Sequence, residues 1–252
     1  MSRPTVSAAL LANGEEQHIV ACLRGLAWAD ELVVLDGLGT GRLPELARAQ
    51  GATVHYRRFD NFGAQRQALI ELTSCDWIFF VDVDERVSAG LAREVRSVIA
   101  RDDPEAPSGY RVPRRNYIWG RWIKGGGWWP DAQLRLLRRD RALFRGGDFV
   151  HEVAEVDGRI GTLRCALVHY NYETVGQFLA KQRKYAALEA AARRRSGERG
   201  APKRLVSTPF YEWRWRFVEH EGWRDGVHGA ALAVLAAWAK LDAERRLLSS
   251  RT

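Results

Sequence analysis

Cysteine is scarce in this chain and scattered. Cys22, Cys75 and Cys165 are the only three in 252 residues, and no two stand at a C-x-x-C spacing. Neither a disulfide framework nor a zinc site is therefore expected, and a reducing compartment fits. Long apolar runs are also missing. The longest stretch without Asp, Glu, Lys or Arg, residues 226–239, has 14 residues, whereas a spanning helix needs about 20. The first residues lead into a short apolar segment with no cleavable leader pattern, so no signal peptide is read. The expected location is cytoplasmic, with at most peripheral contact at the inner face of the membrane. There is no internal repeat. The signatures of RNA-recognition, KH and helix-turn-helix modules are absent too, so no nucleic-acid partner is expected.

What is present is an uneven positive charge. Of the net +8, residues 1–172 contribute +1 and residues 173–252 contribute +7. Residues 111–145 alone carry 10 basic and 2 acidic side chains. Such patches suit phosphates, anionic lipid or nucleic acid, and charge does not choose among them. The first hundred residues alternate in type. Strand patterns at 6–11, 31–36, 52–56 and 77–81 are interleaved with helix patterns at 15–27, 43–50, 64–73 and 88–100. This alternation predicts an α/β fold with a mostly parallel sheet flanked by helices. Short strands at 109–112, 133–137 and 162–168 follow. From Glu173 the pattern is helical, over 175–195, 204–219 and 223–248, with a linker-like stretch at 193–204.

The segment from Asp76 to Glu85 reads DWIFFVDVDE. An apolar run of strand length ends in alternating carboxylates. Residues i and i+2 of a strand share a face, so Asp82 and Asp84 are expected to project together. Paired carboxylates repel unless a cation sits between them, and a divalent ion completed by substrate phosphates is the usual solution. The alternative is a polar strand-to-loop turn whose acids cap a helix. Parallel sheets bind ligands beyond the carboxyl ends of their strands, and both Asp36 and the D-x-D lie at such ends.

Six segments then resemble one family in the same order: CLRGLAWADELVVLD (22–36), FGAQRQ (62–67), DWIFFVDVDERVS (76–88), YRVPRRNYIWGRWIKGGGWWPDAQLRLLRR (110–139), VHE (150–152) and HYNY (169–172). They resemble family 2 glycosyltransferases of the GT-A fold, in particular the branch that builds the lipopolysaccharide inner core. GWRDGVHG (222–229), before an Ala/Leu-rich helix, is similar to the same branch. The resemblance implies a GT-A domain over 1–172 and a C-terminal helical extension over 173–252, facing the membrane surface or the acceptor.

It also implies an inverting transfer from a nucleotide-sugar, a UDP-sugar first among the candidates, to a lipopolysaccharide-core or other lipid-linked acceptor. The family's metal position maps to Asp84, with Asp82 sharing the ion or touching ribose and His169 as a further ligand; Mg²⁺ or Mn²⁺ is the implied cofactor. Nucleoside contacts map to Glu15, Asp36, Arg66 and Val83 along with the D-x-D. Two carboxylates compete as catalytic base, Glu152 of Val-His-Glu and Asp131 after the triple glycine. Arg115, Lys124, Trp128, Trp129 and Arg135 are assigned to the acceptor and phosphate side. Each has a plainer reading: His169 hydrogen-bonded, the Trp pair in a core, Asp131 a cap or an arginine's partner, Glu152 on a surface strand.

Departures from the family pattern cluster around the nucleoside. Gly14 stands where Asn is usual, the loop Gly37-Leu38-Gly39-Thr40-Gly41 replaces one rich in Ser and Asp, and Gln67 replaces Asn. They prompt a second expectation, a degenerate GT-A domain that binds or scaffolds without catalysis. In the tail, Trp213, Trp215, Phe217 and Trp223 interleave with Arg204, Arg214, Arg216 and Arg224. That pattern suits either a membrane interface or a tail helix that packs its Trp residues on the catalytic domain.

Overall fold

The structure is a computed structural model that describes residues 3–101, 103, 105–144 and 154–249. In chain order the elements begin β1 (Val6–Ala12), α1 (Glu16–Arg24), β2 (Glu31–Asp36), α2 (Leu43–Arg48), β3 (Thr53–Tyr56), α3 (Phe62–Leu72) and β4 (Trp77–Asp82). Next come β5 (Glu85–Arg86), α4 (Ala89–Ile99), β6 (Gly109–Val112), β7 (Arg114–Ile118), β8 (Arg121–Trp122) and β9 (Gln133–Arg138). The remainder is β10 (Ala142–Phe144), β11 (Ala154–Val156), β12 (Ile160–Thr162), β13 (Leu167–Tyr172), α5 (Val175–Arg195), α6 (Arg204–Arg214) and α7 (Val227–Ser249). The expected single strand at 162–168 is instead two, β12 and β13, separated by a turn. Helix α6 continues into a π-helical turn, Trp215–Glu219.

Two compact units divide the chain: residues up to Arg114 with Ala132–His169, and Arg115–Asp131 with the residues from Tyr170 onward. The sequence reading set the boundary at 172/173; the structure groups the segment 115–131 with the C-terminal helices.

The first unit is built on a seven-stranded sheet of order β12-β6-β9-β4-β1-β2-β3. Strands β4, β1, β2 and β3 run parallel, and β9 is antiparallel to both β4 and β6. Strand alternation explains why the central strands read as unbroken apolar runs. Trp77, Phe79 and Val81 of β4 enter one core, together with α1, α2 and α4. Ile78 and Phe80 enter the opposite core, with α3 and Phe144 of β10. A strand covered on both faces needs apolar side chains at every position. Asn61 and Ser88 start α3 and α4 by accepting the Ala64 and Leu91 amides at 2.9 and 3.1 Å, each satisfying a donor that the first turn leaves unpaired.

The second unit has the antiparallel pair β7–β8 and the three long helices, with α7 against α5 and α6. Its core gathers Ile118, Ile123, Tyr172, Phe178 and Leu232. A capping box of Thr174 and Gln177 starts α5. Among the described residues no helix is long and apolar enough to cross a membrane.

Candidate active site

The parallel register sets Ala12 beside Asp36, and Leu11 beside Asp82. The loops after β1, β2 and β4 thus leave one edge of the sheet together. Asp36 is buried, and its two carboxylate oxygens accept the amides of Leu38 and Gly39, both at 3.0 Å. Glu15 accepts the amide of Asn13 at 2.6 Å. Both acids therefore shape the loops themselves. The glycines that depart from the family pattern are conformational requirements here. Gly14 has φ +92°, and a Cβ there would meet Leu38 Cδ1 at 2.9 Å; Gly39 has φ +67°, and a Cβ would collide with the Tyr56 ring. Left-handed backbone of this kind favours glycine.

The D-x-D does not behave as a strand pair. Strand β4 ends at Asp82; Val83 and Asp84 form a turn, and β5 begins at Glu85. The period-2 argument stops one residue too early, and the two acids find different partners. Asp82 is gripped by Arg135, with Nη1 to Oδ1 at 3.2 Å and Nη2 on Oδ2, and Arg66 Nη2 lies 3.9 Å from Oδ1. Burial alone would raise the Asp82 pKa; Arg135 first and Arg66 next override it and hold the carboxyl far below the usual range. Asp84 instead faces His169, Oδ2 to Nε2 at 3.4 Å.

Glu85, which the sequence reading passed over, is wholly buried. It accepts Arg135 Nη2 at 2.6 Å and the Asp82 amide at 3.0 Å, and Arg114 Nη1 stands 3.5 Å away. Burial raises its pKa, partly opposed by Arg135. Pairing of His169 with Glu85 between β13 and β5 brings the histidine into this cluster. Arg135 was expected at the acceptor and phosphate side. At 2% exposure it belongs instead to this buried network, a correction no local spacing reveals, because its partners lie about 50 residues upstream. Val83 is also buried, and its carbonyl accepts Arg86 Nη1 at 2.8 Å.

In the second unit the triple glycine is clamped rather than flexible. Buried Asp225 accepts the amides of Lys124 at 3.0 Å and Gly125 at 2.7 Å. The Gly126 amide reaches the His220 carbonyl at 2.7 Å, and Arg216 Nη1 donates to the Gly126 carbonyl at 2.9 Å. Beyond the clamp, buried Asn116 donates through Nδ2 to the Trp128 carbonyl at 2.8 Å and to Asp131 Oδ2 at 2.9 Å. Asp131 is thus positioned by a neutral amide. Trp128 packs on the core of this unit, with Arg216 5.5 Å from its ring, so core packing describes it. Trp129 meets Trp122 edge-on at 5.6 Å. Arg115 and Lys124 are exposed. Glu152 lies outside the described residues.

No family model matches the chain. Among curated proteins it is similar to the lipopolysaccharide core biosynthesis glycosyltransferase LpsC of Rhizobium meliloti (strain 1021), at 27% identity over 243 residues, 92% of this chain and 87% of the relative. It is also similar to an uncharacterized glycosyltransferase of Rickettsia bellii (strain RML369-C), at 22% identity over 93% of this chain and 83% of that one. Of solved structures, mannosyl-3-phosphoglycerate synthase from Rubrobacter xylanophilus matches with a TM-score of 0.51, 15% identity and 79% of each chain covered. The chain is a GT-A glycosyltransferase.

Its likeness to the lipopolysaccharide-core branch of family 2 runs along nearly the whole length. Among the described residues no three His, Cys, Asp or Glu are grouped to hold a metal ion. A glycosyltransferase of this fold does not need three, because a hard divalent ion binds through one or two protein groups and takes substrate phosphates and water for the rest. Asp84, with 29% of its side chain exposed, and His169 supply a carboxylate oxygen and an imidazole nitrogen 3.4 Å apart. This donor set fits Mn²⁺ or Mg²⁺. Asp82, two residues before Asp84, is paired with Arg135, which also binds Glu85.

Proposed function

We propose that this glycosyltransferase is inverting and metal-dependent, and moves a sugar from a nucleotide-sugar, a UDP-sugar first among the candidates, to a lipopolysaccharide-core or other lipid-linked acceptor. The observation that carries this reading is the Asp84–His169 pair beside the Arg135-clamped Asp82, at the edge where β1, β2 and β4 end. The similarity to LpsC over nearly the whole chain supports the acceptor class.

In this reading Asp84 and His169 hold the divalent ion. When bound, the ion acts as a Lewis acid on the diphosphate as it leaves. The protein's own groups do the rest. Asp82, Glu85 and Arg135 keep the turn at Val83–Asp84 rigid, so Asp84 meets its ligand without reorganising, which is where electrostatic catalysis gains most. Asp36 and Glu15 shape the two loops that take the nucleoside, and Arg66 stands beside Asp82 to meet ribose or phosphate. The acceptor hydroxyl oxygen bonds to the anomeric carbon as the bond to the diphosphate oxygen breaks, and its proton passes to a carboxylate. That base is Glu152 or Asp131. Base assistance of this kind is worth roughly 10²–10⁴ in rate. Separate Glu152→Gln and Asp131→Asn variants, assayed for transfer and for donor binding, distinguish them: the base variant loses turnover and keeps donor affinity.

The reading includes peripheral contact with an anionic membrane surface through α6. Val206, Phe210 and Tyr211 are exposed beside Arg214, and Phe210, Trp213 and Phe217 form a run of ring contacts along it. Apolar rings with flanking cations suit a headgroup boundary. Sedimentation of the full chain with vesicles rich in phosphatidylglycerol, against phosphatidylcholine vesicles, tests this contact.

A further inference from the structure

The inward face of β7 breaks its own pattern. Asn116 and Ile118, alternate residues of that strand, are both wholly buried, yet only Ile118 belongs to the core of its unit. Asparagine is disfavoured in strands, and a buried amide costs stability unless its polar groups find partners. Leucine would fill the position with nearly the same shape, so hydrogen bonding is what asparagine adds. Nδ2 of Asn116 donates to the Trp128 carbonyl at 2.8 Å and to Asp131 Oδ2 at 2.9 Å. Its Oδ1 accepts from Asn171 Nδ2 at 3.5 Å. A carbonyl and a carboxylate are both acceptors, so only the N–H end of the amide fits between them.

One carboxamide therefore ties the backbone at Trp128 to the side chain of Asp131, across Trp129 and Pro130. The start of the same loop is tied separately, by Asp225 to the amides of Lys124 and Gly125. Asp131 thus stands on a loop held at both ends. The amide gives its hold without adding charge. A guanidinium in its place would stabilise the ionised carboxylate more strongly and lower its basicity. A general base has to be both within hydrogen-bond reach of its proton and basic enough to take it, and a neutral donor serves both needs. We infer that Asn116 is a positioning residue, which aims the Asp131 carboxylate at the acceptor hydroxyl. This rests on the transfer reading above and, of its two carboxylates, takes Asp131 as the base.

The test is a double-variant cycle on the full chain. Release of UDP from UDP-glucose is followed with Mn²⁺ and with water as acceptor: the water oxygen bonds to the anomeric carbon, UDP leaves, and the water proton passes to the base. Asp131→Asn is expected to lower turnover by roughly 10²–10⁴. Asn116→Leu is expected to lower it by about tenfold or more, because a small misplacement of a reacting group is costly. Both variants keep UDP-glucose affinity. Since Asn116 acts through Asp131, the double variant should turn over no more slowly than Asp131→Asn alone. Losses that multiply overturn the inference, because damage to the fold lowers turnover in either background. Full turnover by Asp131→Asn overturns it too, and leaves Glu152 as the base. The side-chain amide signals of Asn116, recorded without substrate or metal, give a second reading. One of them is expected to move upfield in Asp131→Asn, where a neutral acceptor replaces a charged one and the bond weakens; unmoved signals overturn the inference. If the native chain releases no UDP, the donor reading fails, and the amide signals decide the Asn116–Asp131 relationship alone.

Discussion

Oδ2 of Asp84 lies 3.4 Å from Nε2 of His169, joining the turn after β4 to β13. This contact separates the two acids of the D-x-D by role. Both carboxylates are partly exposed, but Asp82 is paired with Arg135 and Asp84 with His169. In the proposed reading Asp84 is the metal ligand and Asp82 supports the turn that carries it.

Asp84→Ala is expected to lower turnover by about 10²-fold or more, the scale seen when a group that stabilises transition-state charge is removed. Because Asp84 is partly exposed, its loss should leave the urea midpoint nearly unchanged. His169→Ala should weaken Mn²⁺ affinity in the presence of UDP while the fold is retained. Calorimetric titration of Mn²⁺ into the UDP-saturated protein reads both variants.

Arg135→Met removes the cation from between Asp82 and Glu85. Two buried or half-buried carboxylates are then left without their guanidinium, and breaking a buried ion pair from one side costs about 3–5 kcal/mol. Urea denaturation should show that loss. Glu85→Gln, which keeps an acceptor for Arg135, should cost much less.

Acid should act through Asp82. Its folded-state pKa is depressed by Arg135 and Arg66 against the effect of burial, so its contribution to stability is present above an unfolded-state value of about 3.9 and is lost as pH falls from there toward the folded value. Glu85 is shifted upward by burial; its contribution has the opposite sign, being full below about 4.3 and lost as pH rises through its folded value. Asp82→Asn should therefore flatten the acid limb of the stability profile below about pH 4. An acid limb identical to that of the native chain would show that Asp82 is not held as described.

Trp128→Ala should cost about 3–5 kcal/mol, the usual range for emptying a large aromatic site in a core, because Trp128 packs on the Ile118–Phe178–Leu232 core. Trp129→Ala should cost far less in thermal melts, since that ring meets Trp122 at its edge and is not part of the core cluster. Equal losses would return Trp129 to a packing role.

Much of the fold was legible because β1, β2 and β4 are built on near-continuous apolar runs that alternate with helical segments. The strand at 31–36 and the helix at 175–195 match the structure residue for residue. The site was less legible. The spacing of Asp82 and Asp84 suggested one face of one strand, but a strand's end is set by where its ladder stops, and β4 stops at Asp82. Arg135 and Glu85 are 50 positions apart; Arg135 lies on β9, which pairs with β4, and Glu85 follows the turn at the end of β4. Trp122 and Trp128 are chemically alike in sequence; which one is packed on a core depends on α5 and α7. The glycines at 14 and 39 looked like losses from a family pattern, yet the backbone at both is left-handed and demands glycine. Asp225 left a trace in GWRDGVHG, although nothing in that string says that it clamps the amides of residues 124 and 125.

The most direct test of the account is calorimetric binding of UDP-sugars to the native chain and to Asp84→Ala, each with Mn²⁺ and with a chelator. The account predicts metal-dependent affinity for a UDP-sugar in the native chain and its loss in the variant, with both proteins equally folded. Binding that ignores both the metal and the Asp84 substitution would contradict it.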